Sequence, residues 1–326
     1  MDLFKYSVIT GTLNQVRDRY MGCGYREREL TFSEIVDQLN QEAMVDGVEL
    51  SYSQSGGPES DIDEIRKAME GKNLSIAFAN SSLFGERKWS CGSLASADPA
   101  TRKEAVKAVF DLLSYTRATG AAGANLWLGQ DGFDYPFQTD YRRQWNNLIA
   151  ALRDIADYAP DIQITLEPKL REPRNRSLVD TVPTALLMCF EADRQNLGLT
   201  VDVGHVLQGG QNMAQSIDIT MKYNRLFNVH INDNYGSWDD DLIAGSVHFI
   251  EYLELLYFLK KNKYDGWVSV DIFPFREDPF AATRESILNM KKFSQMVDRI
   301  GLPRIEEAIQ SGDFCETQKM IRETVL

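Results

Sequence analysis

Thiols, positive charge and long apolar runs are all scarce in this chain. Its 326 residues include four cysteines, Cys23, Cys91, Cys189 and Cys315, none of them in a CxxC pair. That spacing suggests neither a thiolate zinc site nor a disulfide framework, and reduced cytoplasmic thiols are the plainer reading. Lys and Arg number 35 against 48 Asp and Glu, a formal net charge of -13. Nucleic acid and anionic membranes attract Lys and Arg, so neither is an expected partner. No apolar run reaches the roughly 20 residues of a membrane span. The start, MDLFKYSVITGTLNQ, has no basic region followed by an apolar stretch and a small-residue cleavage site. These absences together predict a soluble, cytoplasmic protein.

Low-complexity tracts and Pro/Gly/Ser-rich linkers are missing too, although 53–58 (SQSGGP) and 129–140 read as loops. With 43% hydrophobic residues, the chain can bury one core of barrel size. What recurs is a short Val/Ile/Leu-rich run followed by a longer amphipathic stretch. The strand candidates are 6–10, 47–52, 75–79, 125–128, 163–167, 198–202, 227–231 and 267–272. Helix starts stand between them: Thr31-Phe-Ser-Glu34 is a capping-box pattern, and Asp98-Pro-Ala-Thr101 puts proline in a first turn. Eight such units predict parallel strands joined by crossovers, hence an α/β fold, a closed (β/α)8 TIM barrel. No GxGxxG follows the first strand, against a dinucleotide-binding sheet. We assign residues 1–302 to the barrel and 303–326 to extra C-terminal helices, packed beneath it or against a neighbouring subunit.

In such a barrel the site lies where the C-terminal strand ends meet. The last four strands each bring a polar group there: Glu167 and Lys169 from the fifth, Asp202 and His205 from the sixth, His230 from the seventh and Asp271 from the eighth. A buried carboxylate or imidazole in an apolar strand is costly unless paired or bound to metal. One such residue alone is adequately explained as a helix cap or ion-pair partner, but four at equivalent places in successive units call for a shared cause. Oxygen-rich ligands with one or two imidazoles suit Mn, Mg or Co rather than a structural zinc. After the seventh strand, Asp239 and Asp241 in NYGSWDDDLIAG can aim at one cation if the backbone is extended. A solvated acidic loop is the bland alternative. His248, at a helix start, reads as surface. His205 reads equally as a ligand or as a hydrogen-bond donor to one.

These residues resemble the xylose isomerase-like barrels, and in particular the aldose-ketose isomerases that include the xylose and L-rhamnose isomerases. Glu167 and Lys169 match the family's ExK, Asp202 and His205 its carboxylate-xx-His, and Asp239 and Asp241 its DxD. The tract HINDNYGSWDDDLIAG is most similar to the rhamnose-isomerase branch. What the resemblance implies is two divalent cations, Mn first, sharing Asp202. Glu167, His230 and Asp271 would complete one site, and His205, Asp239 and Asp241 the other. It also implies a metal-assisted 1,2-hydride shift on a free monosaccharide, with Lys169 stabilising the carbonyl oxygen and Trp127 offering a flat wall to the sugar. Phe133, Tyr135 and Phe137 would extend that wall. Trp127 as ordinary core, and Lys169 paired with Glu167 or Glu172, are the plain alternatives. A homo-oligomer, dimer or tetramer, follows from the same resemblance, with residues 14–30, including Tyr20 and Tyr25, reaching a neighbour's site. Three rival functions share the fold: a one-metal ketose 3-epimerase, a sugar lyase or deglycosidase, and a non-catalytic sugar-binding barrel.

Overall fold

A computed structural model describes residues 3–14, 21, 27–53, 59–273 and 276–325. Eight parallel strands close into a barrel: β1 (Lys5–Ile9), β2 (Gly47–Ser51), β3 (Ser75–Asn80), β4 (Gly123–Leu126), β5 (Gln163–Leu166), β6 (Leu197–Asp202), β7 (Leu226–Ile231) and β8 (Trp267–Val270). Each pairs with its sequence neighbour, and β8 closes on β1 in the register Tyr6 to Val268. All eight fall where the apolar runs place them, within two residues at each end.

Helices cover the outside. The capping box of α1 (Phe32–Glu42) forms as read, Thr31 accepting from the Glu34 amide. Asp98 caps α2 (Pro99–Thr119) through the amides of Ala100 and Thr101. Both faces of the strands are buried, so outward positions such as Val48, Ile164 and Leu199 pack against helices in one continuous apolar cluster. Tyr20 and Tyr25, proposed to reach a neighbour, lie outside the described residues, as do positions 54–58 of the SQSGGP loop. The stretch from Gly129 is a loop carrying one small ribbon, Gly132–Phe133 against Arg176–Ser177.

The two extra helices exist, α3 (Leu302–Ser311) and α4 (Phe314–Val325). They ride on the barrel's flank: Glu306 accepts from the Tyr257 hydroxyl at 2.6 Å and pairs with Lys261 at 2.9 Å on the helix Phe249–Lys261.

The barrel interior departs from a branched aliphatic filling. Glu49, Asn125, Thr165, Thr200, Asn228 and Ser269 are all fully buried, and their bonds cross the barrel axis: Asn228 on β7 donates to Glu49 on β2 at 2.8 Å. Buried polar groups persist only when bonded, and this layer forms the floor of the site.

Candidate active site

The chemistry gathers at the C-terminal mouth. Asp202 ends β6 and stands in register with His230 on β7. Glu167 and Asp271 each follow one residue behind a strand and keep its ladder, bonding Leu126 O and Ile231 O at 3.2 Å. Parallel pairing therefore brings Glu167, Asp202, His230 and Asp271 together, one ligand atom from each lying within 4.8 Å of the others.

The local charges suit a cation. Burial raises the Asp202 carboxyl; His205 pulls it down, but Glu167, Asp271 and Asp239 help carry it to about 6. Glu167 is also buried, yet the charges of His230 and His205 and the Asn125 amide hold it down at about 2. Burial would depress both imidazoles, but the surrounding carboxylates raise His205 to about 9 and His230 well above the usual range. Nδ1 of His230 lies 3.3 Å from Asp271 and 3.8 Å from Glu167. Nδ1 of His205 lies 3.2 Å from Glu167. Neither nitrogen makes a well-formed hydrogen bond. Converging carboxylates that draw positive charge, with two buried nitrogens aimed at them, fit a hard divalent cation.

Beside the cluster, Asp239 accepts from Lys169 Nζ at 2.6 Å and meets His205 Nε2 at 3.2 Å. Lys169 pairs with Glu172 at 3.3 Å and lies over the Trp127 ring, 5.3 Å from its centroid. Its partner is Asp239 as well as Glu172, and Glu167 is not among them. Asp241 faces the same space, its carboxyl raised well above the ordinary range by burial and by Asp239 and Asp271. The loop is not extended as expected. Asp241 has φ 52, and Leu242 pairs back to Asp233, so the two aspartates converge through a turn.

These groups line one cavity of about 500 Å³, walled by Trp127, Phe84, Phe273, Tyr52 and Asn80. Trp127 follows β4 instead of ending it and is half-buried, its ring centroid 4.5 Å from that of Phe84. The wall therefore continues into Phe84, a residue the sequence reading overlooked. Phe133, Tyr135 and Phe137 do not join it: Phe133 packs on Tyr141, and Tyr135 and Phe137 are exposed on the surface. His248 is not a simple surface residue either. Its Nδ1 meets buried Asp233 at 2.7 Å and ties the helix start to the end of β7. Glu49, under His230, also went unseen.

Asp202 is oriented from two sides. It caps the short helix Val203–Gln208 through the His205 amide at 2.8 Å, and the Asn232 amide donates to both its oxygens at 3.0 and 3.1 Å. A Cβ on Gly204 would sit 1.7 Å from Asn232 Oδ1. Alanine normally favours a helix, but Gly204→Ala is expected to destabilise by about 1–3 kcal/mol and to weaken cation uptake by displacing Asn232. Thermal melts and metal titration check both effects.

Glu59 supplies a pH dependence away from the cluster. It is buried beneath the cavity rim, where its carboxylate accepts from the Ser51 amide. Burial raises its pKa from 4.5 to about 7, offset only partly by bonds from Thr10 and Ser51. Since the folded pKa is the higher one, its stabilising contribution is complete below about 4.5 and lost as pH rises through about 7. Glu59→Gln should match the wild type near pH 4.5 and exceed it by about 1–3 kcal/mol above pH 7, as read from urea melts across that window.

Comparison with known proteins agrees with this geometry. A family model described as a xylose isomerase-like TIM barrel matches residues 39–293. Xylose isomerase of Thermus thermophilus is 27% identical over 221 residues, which is 65% of this chain and 57% of that enzyme, so the match spans little more than half the relative's length. Among solved structures, a D-tagatose 3-epimerase-like protein superposes with TM-score 0.70 at 20% identity, over 91% of this chain and 99% of that one. An L-ribulose 3-epimerase does so with TM-score 0.70 at 16% identity, over 91% and 98%. At these identities the two structures establish the shared fold.

Proposed function

The chain belongs to the xylose isomerase-like TIM barrel family, and from that premise we propose that it is a divalent-cation-dependent isomerase interconverting a free aldose and its ketose. The observation that carries this reading is Lys169. Its ammonium is buried beside the carboxylate cluster, and although burial alone would lower its pKa, Asp239, Asp241 and Glu172 raise it instead. A lysine held protonated serves as a hydrogen-bond donor and not as a base. Nζ has three N–H donors. One goes to Asp239 and one faces Glu172 at 3.3 Å, which leaves the third for a carbonyl oxygen in the cavity, where it stabilises developing negative charge.

Glu167, Asp202, His230 and Asp271 would hold the cation. Bound there, Mn, Mg or Co would polarise the sugar oxygens and lower the pKa of a coordinated hydroxyl. His205, Asp239 and Asp241 face the side where two adjacent sugar oxygens exchange a proton. They are also the set that would hold a second cation through shared Asp202, once Asp239 leaves Lys169. Trp127 and Phe84 offer their rings to the C–H face of the sugar.

Two features favour an unphosphorylated substrate. A cavity of about 500 Å³ accommodates a single monosaccharide. Lys169 is the one Lys or Arg side chain lining it among the described residues, and it is already paired with carboxylates, so a phosphate would meet repulsion. Within the family, HINDNYGSWDDDLIAG favours a 6-deoxyhexose or related aldose handled by the rhamnose-isomerase branch.

The test is a panel of rhamnose, lyxose, mannose, xylose and apiose, together with the corresponding ketoses, given to protein stripped of metal and reloaded with Mn or Co. Ketose formation that depends on the cation is expected. Epimerised ketoses with no aldose turnover would replace this reading with the one-metal epimerase. Cleavage products would point to the lyase, and sugar binding without any turnover to the non-catalytic barrel.

A further inference from the structure

Glu49 lies in the middle of β2, fully buried and outside the carboxylate cluster. Four side chains point donors at it. Oε1 accepts from Asn228 Nδ2 at 2.8 Å and from the Ser269 hydroxyl, while Oε2 accepts from Asn80 Nδ2 at 2.9 Å and meets His230 Nε2 at 3.2 Å. A carboxylate has about four acceptor positions, and all four are used. Three neutral donors directed at the carboxylate mark both its oxygens as acceptors, and Oε2 at 3.2 Å accordingly accepts the proton of Nε2. The Asn228 amide, also 3.1 Å from Nε2, is already committed to Oε1.

The network continues. Asn80 Oδ1 accepts from Asn125 Nδ2 at 2.9 Å, and the same amide donates to Glu167 Oε2 at 2.6 Å. Asn125 is fixed in turn by Thr165, whose hydroxyl donates to its Oδ1 at 2.8 Å. One buried belt thus runs from His230 through Glu49, Asn80 and Asn125 to Glu167, joining two members of the cluster by way of three strands that contribute no ligand.

We propose that Glu49 is the positioning residue of the cation site. By accepting the Nε2 proton it fixes His230 in the tautomer and ring orientation that turn Nδ1 toward Glu167, Asp202 and Asp271. Through Asn80 and Asn125 the same belt orients Glu167. The site is thereby set in place before the cation arrives. This inference rests on the cluster being the cation site, as proposed above.

The test uses full-length protein stripped of metal, with Mn2+ titrated by calorimetry. Glu49→Gln removes the charge and keeps the shape, and is expected to weaken Mn2+ binding about 10–100-fold. Glu306→Gln, on the barrel's outer flank away from the site, should leave affinity close to wild type. In Mg2+-loaded protein with 15N-labelled histidine, the His230 Nε2–H should be present, downfield and slow to exchange. It should move upfield in Glu49→Gln and hold its place in Glu306→Gln. Should Glu49→Gln not fold, the wild-type spectrum decides: a His230 Nε2 without its proton overturns the proposal. Unchanged Mn2+ affinity in Glu49→Gln, with the wild type binding normally, overturns this inference alone. A wild type that binds no Mn2+ overturns it together with the preceding reading.

Discussion

Lys169→Met is expected to lower kcat about 10²–10³-fold at saturating sugar while the protein still takes up its cation. The ammonium sits outside the four-residue cluster and opposes a nearby cation by charge, so its loss should leave Mn2+ affinity unchanged or slightly improved. It is also the counter-charge of Asp239 and Glu172, bonded at 2.6 Å and paired at 3.3 Å. Breaking a buried pair leaves carboxylates without compensation, so the melting temperature should fall as well. Steady-state kinetics and a metal titration on one preparation separate the two roles. Wild-type kcat would remove Lys169 from the chemistry. Lost cation binding would make it part of the metal site.

Asp202→Asn should have the opposite signature, with cation binding and turnover failing together. Asp202 stands at the centre of the cluster, its carboxyl raised to about 6 by burial and by Glu167, Asp271 and Asp239 beyond what His205 offsets. That repulsion destabilises the protein until positive charge relieves it. Saturating Mn2+ should therefore stabilise the wild type, by about 2.7 kcal/mol at a hundredfold excess over Kd, on the order of 5 °C in melting temperature. Asparagine keeps the shape and the acceptor for the His205 amide but loses the central charge and one acceptor for Asn232, and the variant's melting temperature should not respond to Mn2+. Chelator treatment of the wild type should reproduce the variant in both assays. A variant that still gains the full stabilisation would place the cation elsewhere.

The strands of the barrel were legible because a parallel strand covered on both faces is an apolar run, as in LGLTVD of β6, buried throughout. The four clustered side chains were legible for a related reason. Each interrupts or ends such a run at an equivalent place, and parallel pairing converts equivalence in sequence into proximity in space. The same double burial hid Glu49, Asn228 and Ser269. Where both faces are covered, alternation does not say which residues face the axis, so Glu49 within GVELS reads as readily as an outward ion-pair partner. Loop geometry was hidden as well. The left-handed backbone at Asp241 carries no glycine to announce it, and only its position relative to Lys169 and His205 makes the turn intelligible. The bond from His248 to Asp233 spans fifteen residues, beyond the reach of local pattern. Phe84, which joins Trp127 in the cavity wall, comes from the loop after β3, where an aromatic has no sequence signal separating wall from surface.

The account stands or falls on how hydrogen moves between the two sugar carbons. Its most direct test is conversion of the best aldose of the panel, deuterated at C2, by the Mn-loaded enzyme in ordinary water, with the ketose product read by mass spectrometry and NMR. The metal-assisted hydride shift proposed here predicts that the deuterium appears at C1 of the ketose. Deuterium lost to solvent would mean that a base removes a proton, and it would contradict the isomerase mechanism proposed for these residues.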